Sequence, residues 1–336
     1  MRRLAIASAC LMLASCGGED EPARAPAASG DDGRIAFASN RDGDFDIYVM
    51  NPDGSGVRNL TRNETTARTE ADDDRPAWSP DGARIAFTST RDHRGDGTQH
   101  NEVYVMSADG SGQRRLTPED RFLVLDPGWL PDERVFYTRC ELGLRECVLV
   151  AVDATGGKGD ELTAPTYAPE ETAFSSDGTR IAYALGSEDG DGTAPDIWVS
   201  ALDRSGRREL TDSRGFDASP TWSPDGARIT FLSERDRNGR CPWEHCFGFN
   251  PEVYVMDADG ENERRLTRDP GDEVSPAWSP DGTRIAFAAY RDGSDYELYV
   301  MNADGTCPTQ LTDNGEWDWS PAWWSPSERG EGRISC

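Results

Sequence analysis

The chain has 336 residues, 62 acidic against 35 basic side chains, and a formal net charge of −27 at pH 7. A field of that sign argues against nucleic acid and anionic bilayer surfaces as partners. It suits cations or basic polypeptides, and it also serves solubility.

Arg2 and Arg3 precede an apolar stretch, Leu4 to Ala14, too short to cross a bilayer as a helix and laid out as a secretory signal. The stretch ends in Leu13-Ala14-Ser15-Cys16, which resembles a bacterial lipobox. In that family the signal is cut before the cysteine, whose sulfur and amine are then acylated. The resemblance implies a lipoprotein signal peptide over residues 1–15 and lipidation at Cys16, and several acyl chains together make a stable anchor. Residues 16–33 lack large apolar side chains and read as a flexible tether. Cleavage leaves 33 basic against 62 acidic residues, a net charge of −29. Gly17 after the anchor suits sorting to an outer membrane, facing the periplasm. In a single-membrane cell the anchor would lie on the outer face of the cytoplasmic membrane.

From residue 34 one unit returns six times at a period of about 50 residues, the mark of a repeat architecture. In residues 75–117, Pro76 to Ser79 is a short strand a, and Ser79-Pro80-Asp81-Gly82 suits a tight turn with glycine in the left-handed position. Arg84 to Ser89 is strand b, Val103 to Met106 strand c, and Gln113 to Thr117 a polar strand d. Strands b and c run apolar without alternation, so both faces should be buried although the sheet is antiparallel. Radially stacked blades meet that condition, with strand d polar at the rim. Six Leu-Thr pairs end the d strands: Leu60-Thr61, Leu116-Thr117, Leu162-Thr163, Leu210-Thr211, Leu266-Thr267 and Leu311-Thr312. The first unit lacks strand a, and Ser320 to Ser325 is a surplus strand a. Residues 34–336 are therefore expected to form an all-β, six-bladed β-propeller of four-stranded antiparallel blades. The N-terminal b-c-d strands and the C-terminal a strand would close the ring.

The Trp-Ser-Pro-Asp-Gly, Arg-Ile-Ala-Phe and Tyr-Val-Met-x-Ala-Asp-Gly runs resemble the TolB-type, WD-like propeller repeat over residues 34–325. TolB itself carries an N-terminal α/β domain, where this chain has a tether. The resemblance thus implies a stand-alone lipoprotein that keeps the family's partner binding, without its transmission role at the inner membrane.

In this topology the a–b and c–d turns share one face, and the long b–c and d–a connections share the other. Loops gathered on one side of a rigid scaffold are where binding usually resides. The loop side carries Asp42, Asp44, Asp72, Asp73, Asp74, Asp189, Asp191, Asp292 and Asp295. We expect a docking surface there for an envelope protein or peptide, basic or cation-bridged, on a monomer held to the membrane only by its lipid. An acid precedes strand c in five units: Asp46, Glu102, Asp196, Glu252 and Glu297. Each is expected to receive loop amides or to pair with Arg41, Arg91, Arg235 or Arg291. The alternating Asp42, Asp44, Asp46 and Asp189, Asp191 spacings are weak Ca²⁺ candidates, lacking the glycine and glutamate of an EF-hand loop. The strand-a tryptophans should pack between blades, and the b-strand arginines should pair with the turn aspartates near them.

Six cysteines remain in the exported chain, an even number that points to disulfides. Cys140 and Cys147 should face each other across a hairpin, and Cys241 and Cys246 share a loop. Cys307 and Cys336 should lie on the same face at the ring closure. No Gly-x-Ser-x-Gly or His-Glu-x-x-His motif is present, and no cofactor is implied. The alternative function is a metal-dependent lyase or hydrolase acting on an anionic polymer, for which His93, His100, His245 and Gln99 are the candidate ligands.

Overall fold

The computed structural model describes residues 33–62, 71–92, 101–117, 122–141, 146–163, 166–167, 170–186, 194–236, 250–291, 295–326 and 334. These form six antiparallel sheets, each in the order a-b-c-d. The inner strands a are Asp318–Trp324, Asp73–Trp78, Phe122–Trp129, Glu170–Phe174, Asp217–Trp222 and Glu273–Trp278 for blades 1 to 6. Each contacts the next, and the last returns to the first, so the ring is closed. Blade 1 pairs Arg34–Ser39 with the C-terminal Asp318–Trp324, aligning Ile35 with Trp323. Blade 3 gains one short strand, Thr166–Tyr167, paired to its strand c.

The apolar runs of strands b and c decide the packing. In Arg84–Ser89 and Glu102–Ser107 every residue is buried except the first arginine and the last serine, which are half-buried. Facing sheets therefore cover each other on both sides, as apolar burial at about 25 cal/mol per Å² favours. Strand d shrinks to two residues, Arg114–Arg115 in blade 2, because only its inner edge finds partners.

The Leu-Thr endings have a definite structural task. In all six blades the threonine Oγ1 accepts an amide of strand c, from Ile47 to Thr61 at 3.0 Å through Leu298 to Thr312 at 2.9 Å; the donor is the second residue of the strand in five blades and the fourth, Leu149, in blade 3. This pins the short outer strand where the ladder ends. The tight turn behaves as expected: Gly82 has φ +67°, its amide reaches Ser79 O, and the Ser79 hydroxyl donates to Asp81.

Two pairings differ from the expectation. The turn aspartate takes its hydrogen bond from that local serine, and four of the six b-strand arginines lie over the tryptophan of the following blade. Arg84 covers Trp129 at 4.7 Å, Arg180 Trp222 at 4.4 Å, Arg228 Trp278 at 4.6 Å and Arg284 Trp323 at 4.7 Å. Arg134 keeps its turn partner, Asp132. Second, Arg41, Arg91, Arg235 and Arg291 bind the acid that opens strand a, not the acid before strand c. The pairs are Arg41–Asp318, Arg91–Asp73, Arg235–Asp217 and Arg291–Glu273, each with a fully buried carboxylate. Strand-d arginines serve two of the pre-c acids, Arg115 on Glu102 and Arg265 on Glu252. Loop amides serve two others, Ser213 on Asp196 and Asn314 on Glu297.

Candidate functional site

The inner strands slip register once each, between Asp74 and Ala77 in blade 2 and at matching places in the other five. At every slip one residue other than glycine takes left-handed backbone: Arg75, Asp126, Glu171, Ser219, Ser275 and Ser320, with φ between 49° and 54°. Such a conformation costs roughly 1–2 kcal/mol per residue, so six in register mark a constraint shared by every blade. Proline follows in five cases, Pro76, Pro127, Pro220, Pro276 and Pro321, and Thr172 in the sixth. Proline has no amide to lose where the ladder slips, which is why a bulge tolerates it.

This ring of bulges lines a cavity of about 540 Å³ on the ring axis. Its polar wall is uneven. Arg75 pairs with Asp126, whose Oδ2 accepts the Glu171 amide at 3.2 Å. Glu171 Oε2 in turn accepts the Ser219 amide at 2.5 Å and the Ser219 hydroxyl at 2.8 Å. Blades 2 to 5 are thus linked by one chain of side-chain bonds, while blades 6 and 1 present Ser275 and Ser320. Asp74 accepts the Arg75 amide at 2.6 Å, and burial holds its carboxyl above the usual range. Glu234 and Asp272 complete the acidic lining.

The acids singled out in the sequence are divided by the fold. Asp42 is exposed and accepts the Tyr48 hydroxyl, which together with Asn59 lowers its pKa. Asp72 is half-buried and accepts the Phe45 amide. Asp73, Asp44 and Asp295 are buried, at 0%, 9% and 2% exposure, so they offer no surface to a partner. Asp189, Asp191 and Asp292 lie outside the described residues, as do Cys16, Cys241, Cys246, Cys336, Gln99 and all three histidines. The Asn59 amide donates to both Asp42 and Asp46, at 3.3 and 2.8 Å, filling with N–H groups the space a cation would need. The Asp42, Asp44, Asp46 run therefore does not assemble as a calcium site. Among the described residues no group of three or more His, Cys, Asp or Glu side chains is arranged to hold a metal.

Cys140 and Cys147 are aligned across the blade 3 hairpin and joined by a disulfide. Cys307 is also disulfide-bonded. The sequence alone does not single out four acids that line the channel: Asp126, Glu171, Glu234 and Asp272. The repeated residue–proline pair directly before Ala-Trp, Gly-Trp or Thr-Trp is the available signal for the bulge position, and so for Asp126.

Known proteins share this architecture. The chain is 29% identical over 224 residues to the protein TolB homolog of Chlorobium luteolum, covering 66% of this chain and 34% of that one. It is 31% identical over 181 residues to the Tol-Pal system protein TolB of Anaeromyxobacter dehalogenans, covering 52% and 37%. An uncharacterized peptidase, YuxL of Bacillus subtilis, is 32% identical over 126 residues, 37% of this chain and 16% of that protein. The chain thus spans about a third or less of the length of these first two named TolB and peptidase relatives. Among solved structures, TolB from Acinetobacter baumannii superposes with a TM-score of 0.66 at 21% identity, over 88% of this chain and 67% of that one. A putative TolB from Agrobacterium tumefaciens gives 0.59 at 18%, over 87% and 99%. Residues 247–330 match the TolB beta propeller domain, and residues 65–240, more than half of the chain, match the tricorn protease N-terminal beta propeller domain; the chain belongs to the family of tricorn- and TolB-type beta propellers.

Proposed function

We propose that the protein is a cell-envelope binding scaffold, exported and anchored through lipid at Cys16, that docks a protein or peptide partner on its loop face over the channel mouth. One observation carries the reading most: an axial cavity of about 540 Å³ whose lining holds five carboxylates and a single guanidinium, already paired. Cavities of that size with few convergent polar groups are the usual form of a binding site. The family relation supports partner binding, since two of the relatives are named as TolB proteins. Residues 16–33 would give the ring reach above the membrane as a flexible tether.

Crosslinking in native envelopes, followed by purification of the captured protein, tests this reading. The purified partner should bind wild-type protein directly, more weakly at 0.5 M than at 0.05 M salt, as screening of an acidic face requires. Binding that ignores salt and survives removal of the loop-side carboxylates would sink it. Metabolic labelling with a fatty acid, lost in Cys16→Ser, tests the anchor separately.

A further inference from the structure

The residue one before the motif arginine shows where the repeat is broken. In blade 1 it is Asn40, whose Oδ1 accepts the Trp317 amide at 2.8 Å; in blade 2 it is Thr90, whose Oγ1 accepts the Asp72 amide at 2.9 Å. These bonds tie the end of strand b to the segment entering strand a. Glu234 holds the same place in blade 5, with its own amide on Phe216 O at 3.0 Å, as Thr90 binds Asp72 O. Its carboxylate makes no such local bond. Among the described residues it has neither a hydrogen bond nor an ion pair, and it lines the axial cavity. Thr172, the one residue standing where five blades have proline, lines the same cavity from blade 4. It is 7% exposed and its hydroxyl has no partner.

We propose that this part of the channel receives one lysine or arginine side chain of the docked partner, with Glu234 as its counter-ion. The inference rests on the docking reading above and names the contact at its centre. The other cavity acids are engaged: Asp126 by Arg75, Glu171 by Ser219, Asp74 by the Arg75 amide, and Asp272 by the Tyr296 hydroxyl at 3.2 Å. Burial first, then the charges of Asp272 and Asp217, holds the Glu234 carboxyl above its ordinary range, as expected of an acid without a cation. Most of the remaining wall is hydrocarbon, from Phe216, Leu232, Trp319 and the bulge prolines, with the hydroxyl residues Thr221, Ser275 and Ser320 between them. An aliphatic stem tipped by a charge matches such a wall, whereas a bare calcium ion needs six to eight oxygens.

The full-length lipoprotein in detergent is titrated with three probes: the blocked peptides Pro-Lys-Pro and Pro-norleucine-Pro, and calcium chloride alone. Binding is read from tryptophan fluorescence, Trp319 lying in the cavity wall. The lysine peptide should bind about tenfold more tightly than its uncharged counterpart, the scale of a charge-assisted contact. Glu234→Gln should remove that advantage and leave the norleucine peptide unchanged, while Glu261→Gln, exposed on the opposite turn side, should alter neither. Equal lysine affinity in Glu234→Gln overturns the proposal, and so does calcium binding that is lost with Glu234. If Glu234→Gln still captures the envelope partner at full affinity, the proposal falls and the docking reading stands. If the wild-type protein binds no partner, the docking reading falls whatever the peptides show.

Discussion

Ser219 gives both its amide and its hydroxyl to a single oxygen of Glu171 on the neighbouring blade. The bond compensates the left-handed backbone at Ser219, since a bulge turns its amide out of the ladder and that donor must be met elsewhere. Glu171→Ala should therefore lower the free energy of unfolding by about 2 kcal/mol, the loss of charge-assisted bonds at a partly buried site. Glu171→Gln keeps an acceptor and should cost less than half of that. Urea denaturation at neutral pH measures both, and an alanine variant as stable as wild type would show the link to be incidental.

Blade 4 breaks the outer ion-pair pattern. In blades 2 and 5 the second residue of strand d is Arg115 or Arg265, reaching Glu102 or Glu252; in blade 4 it is Glu209, aligned with Trp198. Asp196 consequently lacks the cation, and its pKa is raised to about 6, by burial first, with Asp217 and Glu209 adding to the rise. Between the ordinary value of 3.8 and about 6 the folded chain holds a proton that the unfolded chain has released. This contribution to stability is therefore present below that window and is lost as pH rises through it. Glu209→Arg should flatten the pH dependence there and add about 0.5–1 kcal/mol at pH 7, the usual scale of an exposed pair. Thermal unfolding of both proteins from pH 4 to pH 7 decides the matter; parallel profiles would contradict it.

The b and c strands were legible because their apolar runs admit only an architecture that buries both faces. The closure was legible because one unit lacked strand a and another had it in surplus. Strand a was read short, from Pro76, since proline argues for a strand start; the ladder in fact continues past a bulge to Asp73. The burial of Asp44, Asp73 and Asp295 is not legible for a different reason. Asp73 meets Arg91 from 18 residues away and Asp318 meets Arg41 from 277 away, and a charged letter does not announce such a partner. Runs of aspartate therefore read as surface, although the opening residue of strand a is buried and paired. Glu234 was passed over because it sits inside a repeat motif whose neighbours are scaffold.

The Cys140–Cys147 bridge closes a short hairpin, with a sequence separation of 7. Chain-entropy reasoning assigns such a loop about 2 kcal/mol, less than a long-range link. The double variant Cys140→Ala, Cys147→Ala should fold to the same ring and lose about that much in urea. Loss of the far-ultraviolet β signature at 25 °C would mean that the bridge decides folding rather than adding to it.

Ring closure can be probed from a glycine pair. Gly82 and Gly282 occupy the same turn with φ +67° and +68°, so an added methyl strains the backbone equally at both. Their surroundings differ. A Cβ on Gly82 would lie 1.9 Å from the ring of Trp324, the residue that ends the closing strand, whereas at Gly282 nothing is nearer than 3.7 Å. Trp324 also packs, tilted, against Trp78 with ring centroids 5.8 Å apart, in the seam where four other blades set an arginine over the tryptophan. Gly282→Ala should therefore cost only the conformational penalty, about 1 kcal/mol. Gly82→Ala should cost more, because it must also displace Trp324 from blade 2. In a Trp324→Ala background the two glycine substitutions should become equivalent, since the obstacle is gone. A difference that persisted in that background would place its cause outside the seam.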